Sequence, residues 1–259
     1  MTESGTGRPV LFLHGLGGQA GNFCLLPQRL DGFRCIAIDR PGTGWSDPAA
    51  PGAAGIEGHA ATAAAVIEAL DAGPALVLGH SLGGAIGLRL ALDRPDLVAG
   101  FIGIGAMTGP ELARPARLTA GFARRPVPRE IAAHLLTLPL APILGPWSVH
   151  LAFAPEAMPR GFARKGGLFA ALSPRMASGL MRDLEVVAHG TPRLRADLPR
   201  LTRPVLLVHG KSDRVLPYAR HAVPASRLIP NAELWPCEGG HMLPGTRPDL
   251  VARAIRRLA

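Results

Sequence analysis

Gly79-His80-Ser81-Leu82-Gly83 follows an apolar run at residues 75–78 and precedes a helical pattern over 82–93. A serine framed by glycines between a strand and a helix is held clear of the sheet at a helix N-terminus, where its hydroxyl can attack an electrophile. With glycine at 32 of 259 positions the pattern alone is weak; the strand before it and the helix after it make it specific. A serine hydroxyl is a poor nucleophile near neutral pH, so this chemistry requires a base to take its proton and a carboxylate to orient the base. Two later strand ends supply candidates. The run 204–208 leads into His209-Gly210-Lys211-Ser212-Asp213, and Arg214-Val215-Leu216-Pro217 after it is a helix-start signal. Cys237-Glu238-Gly239-Gly240-His241 places a histidine in a glycine-rich loop between strand-like 232–235 and a final helix at 248–258. His80, His14 and His209 read as structural histidines, while His59, His134, His150, His189 and His221 carry no motif. The residues after the run 98–104, Gly105-Ala106-Met107, offer no rival carboxylate.

The elements that must hold these residues alternate along the chain. Short apolar runs at 10–13, 34–38, 75–78, 98–104 and 204–208 lack in/out alternation, as do strands buried on both faces of a parallel sheet. Helical patterns at 22–30, 57–71, 82–93, 218–223 and 248–258 lie between or after them, so the sequence predicts an α/β fold with helices on both faces. Between about 108 and 203 the alternation stops. That stretch is rich in Pro and Arg, with helical patches at 130–136 and 167–172, and reads as an insertion between two strands of one sheet.

The chain resembles the α/β-hydrolase superfamily with a Ser-His-Asp triad. The resemblance rests on the elbow at Ser81, on Asp213 and His241 in that chain order, and on two further segments. His14-Gly15-Leu16-Gly17-Gly18 is similar to the family's HGxxG oxyanion segment, and Asp39-Arg40-Pro41-Gly42-Thr43-Gly44-Trp45-Ser46 to its D-x-x-G-x-G-x-S turn. The resemblance implies a mostly parallel central sheet with a helical cap insertion, the core being 1–107 and 204–259 and the cap 108–203. It implies Ser81 as nucleophile, His241 as general base, Asp213 as its orienting carboxylate, and the Leu16 and Leu82 amides as oxyanion donors. Leu16, Met107, Trp147, Val215 and Met242 are the apolar candidates for the substrate pocket. Family members usually open with a strand hairpin, whereas nine residues precede Val10 here, so the sheet is expected to start one or two strands late with an exposed edge.

Composition bounds the rest. The net charge is +9, and 14 basic against six acidic residues give 108–203 a net +8, so the remainder is nearly neutral. A basic, apolar cap suits an anionic small-molecule acyl substrate, or contact with a membrane surface or protein partner. Aromatic residues are only 5%, and no nucleic-acid-binding motif is present. Cys24, Cys35 and Cys237 form neither a disulfide framework nor a metal-ligand pattern, so no metal and no cofactor are expected. The N-terminus lacks the order of a signal peptide, and the apolar stretch 60–78 is broken by Glu68, Asp71 and Pro74, which reads as a cytoplasmic protein without a transmembrane segment. Two functions are expected from this set: cleavage of a carboxylic ester or related acyl compound, thioesters included, through an acyl-enzyme, or an accessory, ligand-binding role through the basic cap. The same motifs serve lactone, C–C bond and perhydrolase chemistry.

Overall fold

The structure, a computed structural model, describes residues 1–50, 54–109, 138–167 and 174–259. Strands β1 (Thr2–Ser4), β2 (Arg8–Leu13), β3 (Phe33–Ile38), β4 (Ala75–His80), β5 (Val98–Ile104), β6 (Val205–Gly210) and β7 (Ala232–Cys237) form one sheet in the order β1-β3-β2-β4-β5-β6-β7. All neighbouring pairs from β2 to β7 are parallel. Their uninterrupted apolar sequences follow from burial on two faces. Leu11, Ile36, Val77, Phe101 and Leu207 point into one core, while Phe12, Ala37, Leu78, Ile102 and Val208 point into the other.

Helices α1 (Ile56–Ala69) and α2 (Leu82–Asp93) cover the first core, and Val251, Ala252 and Ile255 of the C-terminal helix Pro248–Leu258 fill the second. This is the mostly parallel α/β architecture that the sequence predicts. The first strand differs from expectation: β1 pairs antiparallel with β3, Thr2 opposite Ala37, and all three of its residues are exposed. Three polar residues on an exposed edge carry no hydrophobic signal, so this strand leaves no trace in the apolar pattern.

Residues 22–30 form two 3₁₀ turns, Ala20–Phe23 and Pro27–Arg29, instead of a helix. Pro27 has no N–H to give to a helical ladder there. The helix expected at 218–223 forms later, at Ala222–Leu228.

Between β5 and β6 the described residues contain helices but no strand: α3 (Leu138–Phe153), α4 (Phe162–Lys165) and α5 (Pro174–Asp197). The helical patch at 130–136 lies outside the described residues, as does 167–172 apart from Gly167. Helix α5 escaped the sequence reading because Pro192 sits inside it. Its Val186, Val187 and Leu194 join the core that α1 and α2 cover, which ties this part of the insertion to the sheet. Among the described residues, no helix is long and apolar enough to cross a membrane.

Candidate active site

The turn from β4 into α2 puts Ser81 at φ 55° and ψ −120°, a conformation that side chains other than glycine rarely adopt. Hydrogen bonds over-determine it. Ser81 N–H donates to Ile104 O at 3.2 Å, and Ser81 O accepts from Gly84 N–H and Met107 N–H at 2.9 Å each. The glycines of the motif are steric necessities: a Cβ on Gly83 would overlap the Leu13 carbonyl. Leu82 is the first residue of α2, where N–H groups have no acceptor within the helix and the helix dipole favours negative charge.

The loop after β2 lies directly against this turn, since a Cβ on Gly15 would sit 2.7 Å from Ser81 Cβ and 3.2 Å from its Oγ. Leu16 is therefore beside the serine, half-buried against the core that contains Met107.

His241 and Asp213 come together from the ends of β7 and β6. His241 Nδ1 is 2.7 Å from Asp213 Oδ2, and the Asp213 carboxylate is fully buried. Its other oxygen, Oδ1, accepts from Val215 N–H and Leu216 N–H at 2.8 Å each. Burial alone would raise the Asp213 pKa. The positive charge of a protonated His241 and the hydrogen bonds from His209 and His241 outweigh that, and hold the carboxyl well below the usual carboxylate range. His209 Nε2 donates to Leu216 O at 2.7 Å and stands 3.3 Å from Asp213 Oδ2, partners that the sequence did not name for this structural histidine.

His80, next to Ser81, anchors the histidine loop. Its Nε2 donates to His241 O at 3.0 Å, and the two rings lie 4.8 Å apart. Among the described residues no hydrogen bond joins Ser81 Oγ to the His241 ring; such bonds are often loose before substrate binds. The arrangement offers a strained hydroxyl at a helix N-terminus, a glycine-rich loop packed against it, and an imidazole whose Nδ1 is held by a carboxylate. Those are the components of acyl transfer. Burial pushes the Cys35 and Cys237 thiols up to about 11 and raises that of Cys24, so none offers a competing thiolate near neutral pH.

The pocket candidates scatter more widely. Met107 is buried, and Val215 and Met242 are half-buried beside Asp213 and His241 in the chain. Trp147 is 63% exposed on α3, whereas Phe153 of the same helix is buried edge-on against Phe162 at 5.4 Å.

Several contacts around the site join residues distant in the chain and left no sequence signal. Glu156 Oε2 accepts from Gly240 N–H at 2.9 Å, and Ala152 O from Met242 N–H at 3.2 Å, so the insertion braces the histidine loop. Asp39 anchors its own turn through Trp45 N–H at 3.2 Å and also accepts from Ala20 N–H at 2.8 Å. Arg40 and Asp183 form a buried ion pair next to the loop that carries Leu16.

Three histidines here are kept neutral. Burial first, and then the charge of His241, lowers His80 from 6.5 to about 3. Burial and then Arg40 lower His59 to about 4 and His14 well below 6.5. The unfolded chain binds these protons near 6.5 and the folded chain does not, so stability is fully present above that pH and is lost on acidification. Each histidine contributes a slope of about 1.4 kcal/mol per pH unit below roughly pH 6.5, continuing to its folded pKa. Thermal unfolding should therefore give a flat Tm between pH 7 and 8 and a steep decline from pH 6.5 to 5.

The fold has counterparts in known proteins. The chain is 32% identical to the magnesium-chelatase 30 kDa subunit of Rhodobacter capsulatus, over 98% of this chain and 87% of that one. It is 29% identical to the 2-(acetamidomethylene)succinate hydrolase of Mesorhizobium japonicum, over 98% and 88%. An esterase structure from Exiguobacterium antarcticum superposes with a TM-score of 0.79 at 23% identity, covering 99% of this chain and 93% of the other. The sequence model of the alpha/beta hydrolase fold matches residues 8–248, and with the parallel sheet and its β4–α2 turn this shows that the chain belongs to the α/β-hydrolase family.

Proposed function

We propose that the protein is a serine hydrolase that cleaves a carboxylic ester or related acyl compound, thioesters included, through an acyl-enzyme. One observation carries the reading: a strained Ser81 abuts Gly15, while the same sheet edge presents His241 with its Nδ1 on a buried Asp213. In this reading His241 takes the Ser81 proton as the hydroxyl attacks the acyl carbon. Asp213 holds the imidazole so that Nε2 is the free acceptor, and the Leu16 and Leu82 N–H groups bind the carbonyl oxygen as it becomes negative. His241 then gives the proton to the leaving group, and a water repeats the sequence to release the acid. The insertion 108–203 serves as a cap, and its net +8 favours a substrate with an anionic group.

The test is active-site labelling by a fluorophosphonate combined with turnover of short-chain aryl esters, neutral and carboxylate-bearing, at low and high salt. Labelling and turnover, with a salt-dependent kcat/KM for the anionic esters alone, are expected. No labelling and no turnover would sink the enzyme reading, and equal salt dependence would sink the steering by the cap.

A second reading has its own support in the relative named as a magnesium-chelatase subunit, which aligns along 98% of this chain. There the protein is an accessory component of a larger enzyme, keeping the hydrolase frame and acting through its basic insertion. Inert Ser81 in the labelling experiment would favour it.

A further inference from the structure

The peptide that carries the proposed oxyanion donor is gripped from both sides by one buried ion pair. Arg40, 1% exposed, and Asp183 of α5, 3% exposed, make two parallel contacts: Nη1 to Oδ1 at 2.8 Å and Nη2 to Oδ2 at 2.6 Å. Arg40 has further donors to place. Nη2 also donates to Gly15 O at 2.9 Å, and Nε donates to His14 O at 3.1 Å. Gly15 O accepts from Gly18 N–H at 3.1 Å as well, and lies 2.9 Å from His14 Nδ1. On the far side of Leu16, Gly17 N–H points to Asp183 Oδ2 at 3.4 Å.

A trans peptide unit is rigid, with its C=O and N–H directed oppositely. Gly15 O and Leu16 N–H belong to the same unit, so whatever fixes the direction of Gly15 O fixes the direction of Leu16 N–H. The next unit is fixed through Gly17 N–H. Arg40 thus holds one peptide, Asp183 the following one, and the two side chains hold each other.

We infer that the Arg40–Asp183 pair is a positioning device: it aims the Leu16 N–H toward the oxygen above Ser81, and makes that aim depend on docking of α5. Its catalytic consequence rests on the hydrolase reading above, whereas the clamp itself does not. The pair joins positions 143 residues apart, one in the turn after β3 and one in the insertion, so the clamp is complete only when the insertion is folded onto the core. Neither residue reaches the reacting atoms. A buried pair costs desolvation energy that apolar replacements of similar volume avoid, which allows the positioning role to be separated from stability.

The decisive variant is Arg40→Met with Asp183→Leu, which removes both charges together and leaves neither unpaired. The first readout is amide exchange by mass spectrometry, which needs no activity. Exchange in the peptide spanning 14–19 should rise at least tenfold while strands β4 and β5 keep wild-type protection, with a Tm lowered by several degrees because His14 O and Gly17 N–H lose their partners. Unchanged exchange in that peptide would overturn the clamp whether or not the protein is a hydrolase. The second readout is ester kinetics. Loss of one oxyanion donor lowers kcat by about 10²–10³-fold, so a misaimed donor should lower it by roughly tenfold to a hundredfold, with KM within about twofold. Asp183→Glu with Arg40 kept, which retains a charge pair, should lose less than the double variant. Faster loop exchange with wild-type kcat would overturn the positioning role, and a wild-type protein without turnover would count against the hydrolase reading alone.

Discussion

Ser81→Ala should abolish fluorophosphonate labelling and lower ester turnover by about 10⁴–10⁶-fold, with the fold intact. The size follows from the proposed mechanism, in which no acyl-enzyme forms without the hydroxyl and only binding and the proposed oxyanion donors remain to assist water. Structure should survive because the turn is held by main-chain hydrogen bonds to Ile104, Gly84 and Met107, which the substitution leaves in place. Ser81→Gly separates activity from stability further. At φ 55° and ψ −120° a serine stores on the order of 1–3 kcal/mol of backbone strain that glycine relieves, so this variant should be equally inactive yet unfold at a higher temperature. Wild-type turnover in Ser81→Ala would place the nucleophile elsewhere.

Asp213→Asn should lower kcat by about 10³–10⁴-fold through the wrong imidazole tautomer. The local hydrogen bonds dictate how the amide settles. Oδ1 must go on accepting from Val215 N–H and Leu216 N–H, so the NH₂ replaces Oδ2 and faces His241 Nδ1. That NH₂ is a donor, Nδ1 becomes an acceptor, and the ring proton moves to Nε2, where it blocks uptake of the Ser81 proton. Kinetics near pH 7 with an aryl ester checks the loss. A change confined to KM would show that Asp213 does not orient the base.

Much of this site was legible along the chain, for a local reason. The elbow, the His14–Gly18 segment, Asp213 and His241 each follow a short apolar run, and a residue just past the carboxyl end of a parallel strand arrives at the same sheet edge as its counterparts. Strand β1 and the 3₁₀ turns were not legible, because three polar edge residues carry no periodicity and Pro27 breaks an otherwise helical pattern. Helix α5 was hidden by Pro192, since burial of Val186, Val187 and Leu194 against α1 and α2 holds a helix that local propensity alone would interrupt. Trp147, an apolar side chain in the insertion that reads as a pocket wall, stands 63% exposed, which its sequence pattern did not indicate.

The net +9, the α/β frame and the order of the chemical groups are properties of the sequence alone, because composition and strand-end motifs are local quantities. The tertiary structure decided which groups hold them in place. Arg40 meets Asp183 across 143 residues, His209 supports Asp213 from the end of β6, and Glu156 caps the loop before His241. Each contact joins a buried polar group to a partner on another element. Burial makes such partners obligatory, since an unpaired charge or amide in the interior is expensive, yet only the folded chain determines which partner is near.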